Sequence, residues 1–161
     1  FKKMKQNGVR PDVVCYNSLI KWSGKMKQFE KMNENFEELL SNKLSPTHKT
    51  FQNIISAYAD AGMFDEMSAT FRSMKKYGLT PDIFIFTSMC AALGRVGRLE
   101  EMEQLFNQLQ QYNIYPNVEI YTALIRSFAK QRKTDIAVQY FNKMIDEGIE
   151  PDTMLIEAVC A

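Results

Sequence analysis

The sequence has 161 residues, of which 45% are hydrophobic and 24% charged, and its formal net charge is +1. This composition is that of a globular domain and excludes disordered and collagen-like chains. The sequence contains no run of about 18 apolar residues, so no membrane span is predicted. The charge removes the simplest argument for non-specific nucleic-acid binding, and the three widely spaced cysteines indicate neither a disulfide framework nor a zinc site.

A fixed interval of 35 residues separates all neighbouring prolines and returns in a phenylalanine series and in a series of small residues. A period between 20 and 50 residues predicts a stacked repeat array, because one unit cannot bury its apolar face alone. The three series are Pro11, Pro46, Pro81, Pro116 and Pro151; Phe1, Phe36, Phe71, Phe106 and Phe141; and Gly24, Ala59, Gly94 and Ala129.

Each period predicts a hairpin of two helices. In the third period, apolar residues recur at helical spacing over 83–95, Gly97 breaks the pattern, a second stripe covers 98–112, and Pro116 ends it. In chain order we predict the end of one unit at 1–12, complete units at 13–47, 48–82, 83–117 and 118–152, and the start of another at 153–161. Because Phe1 falls inside a predicted helix and no start Met or targeting segment is present, we expect a part of a longer protein.

The small residues fall late in each first helix. There we expect the two helices of a hairpin to approach closely, because a bulky side chain would hold them apart.

The repeated segments resemble the pentatricopeptide repeat. The motif stands here as V-V-C-Y-N-S-L-I from Val13, I-F-I-F-T-S-M from Ile83 and V-E-I-Y-T-A-L-I from Val118, with G-L-T-P-D and G-I-E-P-D at unit ends. The tetratricopeptide repeat has a different period, and its tryptophan signature is missing here. The resemblance covers essentially the whole chain. It implies an all-α fold, a right-handed α-solenoid of stacked helix-turn-helix repeats, whose first helices line the concave side.

Charge is divided between the two helices of the repeats. The predicted second helices are net acidic, whereas the first helices are net basic. A positive groove is what a phosphate backbone requires, although a solvated acidic face on the second helices is the plainer interpretation. The charged residues of the first helices are Lys21, Lys25, Lys49, Arg95, Arg126 and Lys130 against Asp60 and Glu119.

The resemblance implies binding of single-stranded RNA with one base per repeat, read by the fifth and the last residue of each repeat. An ionised Asp only accepts hydrogen bonds, which suits the ring N–H of guanine or uracil; an Asn amide also donates, which suits adenine or cytosine. In the family's code, Thr at the fifth position goes with purines and Asn with pyrimidines. The pairs are Asn17 with Thr47, Gln52 with Asp82, Thr87 with Asn117, and Thr122 with Asp152.

The implied bases are adenine for the repeat of Thr87 and guanine for that of Thr122. Asn17 with Thr47 implies a pyrimidine. Asp82 implies guanine or uracil, because Gln52 departs from the family's usual fifth residue. With chain and RNA parallel, the implied core is 5′-(C/U)-(G/U)-A-G-3′. Glu157, the fifth residue of the incomplete last unit, also departs from the pattern.

Two further sets of residues follow from the resemblance. Each base is expected between the second residues of adjacent repeats, where Phe84 is the aromatic member and Glu119 places a carboxylate on the RNA path. A basic residue late in the first helix is expected to contact phosphate, a series that Asp60 breaks. The sets are Val14, Lys49, Phe84, Glu119 and Met154 for the bases, and Lys25, Arg95 and Lys130 for phosphate.

Catalytic patterns are absent from the sequence. His48 is the only histidine, and no P-loop, H-E-x-x-H or Rossmann fingerprint occurs. We therefore predict no enzyme activity, cofactor, metal, small-molecule substrate or membrane.

The first functional hypothesis is sequence-selective RNA binding in RNA processing, stability or translation, in the mitochondrion or plastid from the resemblance only. The alternative is a scaffold subunit of an organelle ribonucleoprotein, either a mitoribosome or an RNA-processing complex, in contact with its other proteins. Four bases distinguish only about 256 sequences, which favours a longer array or the scaffold. An appended enzyme domain outside these residues is a third possibility.

Overall fold

The computed structural model describes residues 10–153, 155 and 156, and this part of the chain contains helices and no strand. It divides into two compact units, Phe1–Pro81 and Asp82–Ala161. The helices are α1 (Val13–Lys25), α2 (Phe29–Ser41), α3 (His48–Ala61), α4 (Phe64–Ser73, continued by a 3₁₀ turn at Met74–Tyr77), α5 (Ile83–Val96), α6 (Leu99–Gln111), α7 (Val118–Lys130) and α8 (Thr134–Asp146).

Each unit contains two helical hairpins. In the first unit α1 packs against α2, α3 packs against α4, and α1 also packs against α3. In the second unit α5 packs against α6 and α7 against α8, while both α5 and α6 contact α7. The first helices of consecutive repeats are therefore neighbours within each unit, so equivalent side chains of these helices recur along one surface.

Every helix of the four hairpins ends in the same turn. A residue with positive φ stands at the C-cap or directly after it, and two backbone N–H groups bond back into the last turn, as Lys27 N to Gly24 O and Gln28 N to Ser23 O do after α1. Glycine suits this left-handed conformation, but only half of the positions carry it. The eight residues are Lys27, Lys43, Gly62, Gly78, Gly97, Asn113, Arg132 and Gly148.

The core repeats with the period of the sequence. The fourth residue of each repeat is a buried aromatic, and two positions of each second helix are fully buried, one of them occupied by Leu or Met throughout. Burial of such side chains supplies about 1.5–3 kcal/mol each. The aromatics are Tyr16, Phe51, Phe86 and Tyr121, and the Leu/Met series is Leu39, Met74, Leu109 and Met144.

A polar partner accompanies each buried tyrosine of this aromatic series. Asn42 Nδ2 donates to Tyr16 Oη at 3.0 Å, and Tyr121 Oη donates to Glu147 Oε2 at 2.7 Å. Where the series carries Phe instead, the partner position carries a tyrosine ring, 5.5 Å from Phe51 in the case of Tyr77. A polar residue therefore stands opposite each buried tyrosine and an aromatic ring opposite each buried phenylalanine. This pairing gives every hydroxyl of the series a partner, and a buried hydroxyl without a partner would be costly.

The closest helix approach differs from the expectation. A Cβ added at Gly24 would lie 2.6 Å from Ala57 Cβ on α3 and 3.3 Å from Met32 Sδ on α2. A Cβ at Gly94 would lie 2.6 Å from Ser127 Oγ on α7. The tight contact is therefore with the first helix of the next repeat more than with the second helix of the same hairpin.

The single histidine and a buried cysteine both lie on first helices. The exposed ring of His48 lies at the start of α3 with Nε2 2.8 Å from Thr80 O. Cys90 is buried in α5, and burial raises the pKa of its thiol to about 12. Each helix in the described part of the chain is too short or too polar to span a lipid bilayer.

Candidate nucleic-acid interface

The predicted last-position residues are the N-caps of the first helices. Asp82 Oδ1 accepts a hydrogen bond from Ile85 N at 3.0 Å, Asn117 Oδ1 from Ile120 N at 3.0 Å, and Asp152 Oδ1 from Leu155 N at 2.7 Å. Asp12 caps α1 in the same way through Cys15 N, and this bond lowers the pKa of its carboxyl. Capping fixes each side chain and leaves its other oxygen or its amide nitrogen for a ligand.

In the third repeat the cap determines which way the Asn117 amide faces. Because Oδ1 receives the backbone N–H of Ile120, Nδ2 is turned to the fifth residue, where it donates to Thr87 Oγ1 over a long 3.4 Å. The Thr87 hydroxyl donates in turn to Ile83 O at 2.8 Å. The structure thus brings this predicted pair together and presents an amide donor beside a threonine.

The fourth-repeat pair is less satisfied. Thr122 Oγ1 is buried without a hydrogen-bond partner in the described structure. Asp152 is exposed and uses Oδ1 for the cap. Both residues line one cavity of about 550 Å³ together with Glu119, Arg126 and Lys130. A buried hydroxyl without a partner is costly, so a group that bonds Thr122 would be favoured there.

The first-repeat pair belongs to a hydrogen-bond network that was not predicted from the sequence. Thr50 Oγ1 donates to Asn17 Oδ1 at 2.6 Å, and Asn17 Nδ2 donates to Thr47 Oγ1 at 3.4 Å. Thr47 N also donates to Thr50 Oγ1 at 3.0 Å, so Thr50 does part of the capping. The signal in the sequence was a threonine three residues after Thr47, at a position that is Ile85 and Ile120 in later repeats.

The second-repeat pair is divided between the units: Gln52 belongs to the first and Asp82 to the second. Gln52 Oε1 accepts a hydrogen bond from Lys49 Nζ at 3.0 Å, so a predicted base-reading residue and a predicted base-packing residue bind each other. The Asp82 carboxylate caps α5.

The predicted base-packing residues lie on the surface of the first helices. Val14 is 69% exposed and Phe84 64%, and Lys49 and Glu119 are also exposed. Met154, like Glu157, lies outside the described residues. Exposed apolar side chains at equivalent helix positions are available to pack against planar groups.

Basic side chains surround the cavities beside these positions. In the first unit, four lysines and Asp60 line a cavity of about 370 Å³. In the second unit, the predicted phosphate residues Arg95 and Lys130 line the 550 Å³ cavity. The four lysines are Lys21, Lys25, Lys27 and Lys49. Among the residues with described positions, no group of three or more His, Cys, Asp or Glu could hold a metal ion.

Comparison with known proteins decides the family. Residues 11–60 and 116–160 match the PPR repeat family, residues 49–79 the PPR repeat, and residues 69–119 the pentatricopeptide repeat domain. The chain belongs to the pentatricopeptide repeat family. No curated protein sequence matches this pentatricopeptide repeat chain significantly.

Solved structures agree with that membership. The chain resembles the pentatricopeptide repeat protein PPR10 from maize with a TM-score of 0.83 and 25% identity, over 92% of this chain and 21% of that protein. It resembles PPR10 in complex with an 18-nucleotide psaJ RNA element with a TM-score of 0.79 and 25% identity, over 94% of this chain and 22% of that one. This pentatricopeptide repeat chain thus spans about a fifth of PPR10.

A third likeness bears on the fold alone. The pentatricopeptide repeat domain of Arabidopsis thaliana protein-only RNase P 1, solved with tRNA, has a TM-score of 0.83 at 14% identity, over 98% of this chain and 83% of that one. These likenesses confirm the predicted fold class, an all-α solenoid of stacked helix-turn-helix repeats.

Proposed function

We propose that the chain binds single-stranded RNA, reading one base per repeat with its fifth and last residues. The observation that carries the proposal is the Asn117 amide, whose oxygen is held by the cap of α7 while its nitrogen faces Thr87. Family membership supports an RNA ligand, because PPR10, which is 25% identical over most of this chain, was solved with an RNA element.

The third repeat suits adenine. With Oδ1 engaged by Ile120 N, the amide offers Nδ2, a donor, to a base edge. Adenine presents a bare ring nitrogen on its Watson–Crick edge, which can accept a hydrogen bond from Nδ2. Guanine presents a ring N–H there, and two N–H donors cannot form a hydrogen bond with each other. Because the cap fixes the amide before RNA binds, the Asn117 side chain loses little conformational entropy when it binds the base.

The fourth repeat suits guanine. Asp152 keeps one carboxylate oxygen after capping, and a carboxylate only accepts hydrogen bonds. The ring N–H of guanine supplies the donor, and the unpartnered Thr122 hydroxyl stands in the same cavity. Glu119 also lines that cavity, so the guanine must lie beside a second carboxylate.

The test exchanges the Asn117 amide for a carboxylate. In Asn117→Asp the side chain still caps α7, so folding is preserved, but the donor becomes an acceptor. We expect the preference at the third base to change from adenine to guanine, by about fivefold or more in Kd for each of the two bases. Fluorescence anisotropy with short RNAs carrying either base in the implied core measures this change.

Asn113→Asp is the matched control. It adds the same negative charge in the same repeat, at an exposed turn residue away from the α7 cap. We expect it to weaken all RNAs equally and to keep the adenine preference. A preference that survives Asn117→Asp would refute base reading by this pair.

The proposed role is that of a binding module in organelle RNA processing, stability or translation, acting by occlusion or recruitment and located in a mitochondrion or plastid. The competing proposal is a scaffold subunit of an organelle ribonucleoprotein, which the exposed carboxylate of Glu119 and the Lys49–Gln52 bond favour. Equal affinity for scrambled RNAs would refute base reading by these pairs.

A further inference from the structure

Two repeats carry three basic residues each at the same three positions. The ninth, thirteenth and fifteenth residues are basic in the first and fourth repeats, and we call each set a basic triad. The same positions are Ser56, Asp60 and Gly62 in the second repeat and Ala91, Arg95 and Gly97 in the third. The triads are Lys21, Lys25 and Lys27, and Arg126, Lys130 and Arg132.

The last residue of each triad, at the fifteenth position of its repeat, has an unfavourable backbone conformation. Lys27 has φ 55° and Arg132 φ 59°, whereas the corresponding residues of the middle repeats are Gly62 and Gly97, both with φ 74°. A side chain in this left-handed region destabilises the fold relative to glycine. Basic residues at these two turns therefore stand where folding alone favours glycine.

In the first unit the triad surrounds a cavity. Lys21, Lys25 and Lys27 all line the 370 Å³ cavity with Lys49, and Asp60 is the acidic residue among its walls. None of the three triad lysines forms an ion pair with a described residue. Cations gathered around a concave surface raise its positive potential and so attract an anion.

In the second unit the triad lies at the end of α7. Arg126 and Lys130 line the 550 Å³ cavity with Arg95, and Arg132 follows in the turn after α7. Two carboxylates, Glu119 and Asp152, line the same cavity. Arg126, Lys130 and Arg132 likewise form no ion pair within the described part of the chain.

We propose that the two basic triads are phosphate clamps, which bind backbone phosphates of single-stranded RNA at the first and fourth repeats. The proposal rests on the proposed RNA binding and adds Lys21, Lys27, Arg126 and Arg132 to the expected phosphate contacts. Lysine and arginine donate charge-assisted hydrogen bonds to phosphate oxygens, and such contacts carry no base preference. The two clamps therefore add affinity without selectivity, and selectivity comes from the capped base-reading residues.

The decisive variant is Lys27→Gly, because glycine is the residue of the middle repeats. We expect it to raise the Tm of the 161-residue chain by about 2–4 °C, since the left-handed conformation becomes free of strain. We expect RNA binding to weaken about threefold for every sequence. The slope of log Kd against log salt should fall by about 0.7, the value for one lost phosphate contact on a single strand.

Lys43→Gly is the matched control. Lys43 has φ 59° in the same type of turn, at the end of α2, and belongs to no triad. It should raise the Tm equally, and leave the affinity and the salt slope unchanged. Arg132→Gly with Asn113→Gly repeats the comparison of affinity and salt slope in the second unit, although Asn113→Gly should raise the Tm less because Asn tolerates the left-handed conformation.

Equal affinities and salt slopes for Lys27→Gly and Lys43→Gly would overturn the clamp. The base preference of the same proteins, measured in the same titrations, tests base reading separately. A triad-dependent affinity without base preference would keep the clamp and remove the code. An unmodified chain that does not bind RNA would remove both.

Discussion

The first and third repeats place the same two groups in opposite positions. In the first, the amide is the fifth residue, Asn17, and the hydroxyl is the last, Thr47; in the third, the hydroxyl is Thr87 and the amide is Asn117. In both, the amide nitrogen donates to the hydroxyl oxygen at 3.4 Å. What differs is the group that holds the amide oxygen: the Thr50 hydroxyl in the first repeat and the backbone N–H of Ile120 in the third.

The difference shows how helix capping constrains the side chains proposed to read bases. The last residue must satisfy the start of the next helix, and an Asn or Asp does so while keeping a second polar atom. In the first repeat Thr47 shares this task with Thr50, and the same Thr50 hydroxyl also bonds Asn17. Under the proposed function, a base at the first repeat would meet side chains that already bind one another, so we expect weaker discrimination there than at the third repeat.

The largest expected effect concerns the packing beneath the two repeats. In Gly24→Ala the new Cβ meets Ala57 Cβ at 2.6 Å, and this atom cannot move without its helix. The overpacking exceeds the gain in helix propensity, so the free energy of unfolding should fall by about 1–2 kcal/mol. In Gly94→Ala the obstacle is Ser127 Oγ, which can rotate but then gives up its 2.6 Å hydrogen bond to Ala123 O, so we expect a smaller loss of about 0.5–1 kcal/mol. Urea denaturation measures both, and equal losses would contradict this difference.

A second variant gives the first repeat the cap of the others. In Thr47→Asp a carboxylate can accept the Thr50 N–H as Asp82 accepts that of Ile85. The pair Asn17 with Asp combines a pyrimidine preference with an acceptor for a ring N–H, so uracil should be favoured over cytosine by about fivefold in Kd. Stability should change by no more than about 0.5 kcal/mol. Anisotropy titrations with the two RNAs measure the preference, and an unchanged cytosine-to-uracil ratio would refute the assignment.

The smallest effect concerns the buried aromatic of the two repeats, Tyr16 in the first and Phe86 in the third. Burial, followed by the Glu38 hydrogen bond and charge, raises the pKa of Tyr16 to about 12. A raised pKa means that its contribution to stability is complete below pH 10 and is lost as the pH rises toward 12. Tyr16→Phe should cost less than about 1 kcal/mol at neutral pH and reduce the loss of stability between pH 10 and 12.

Thermal unfolding across that pH range measures the effect of Tyr16→Phe. Burial also raises the pKa values of Tyr121 and Tyr140. Both residues are present in the unmodified chain and in Tyr16→Phe, so the difference between the two stability curves isolates Tyr16. Tyr115→Phe is the control, because it removes the hydroxyl group of a tyrosine whose side chain is 89% exposed. A pH dependence altered equally by both variants would contradict the role of burial.

Much of the surface arrangement could be predicted from the period alone. Val14 and Phe84 stand at equivalent positions, and both side chains are exposed on first helices. The partner of Gly24 was harder to predict, because periodicity identifies a small residue without identifying the helix that meets it. The Lys49–Gln52 bond was not predicted, because each of these two residues, three positions apart on α3, was expected to contact RNA and not the other.

The sequence by itself determined the repeat, the helical hairpin and the family, because one 35-residue period forces equivalent residues into equivalent surroundings. Only the tertiary structure decided which polar atoms remain free for a ligand. That depends on hydrogen bonds between residues about 30 positions apart, such as Thr50 with Asn17, and on the conformation of turns, such as that of Lys27. Such contacts follow from how neighbouring hairpins pack, which residue spacing does not specify.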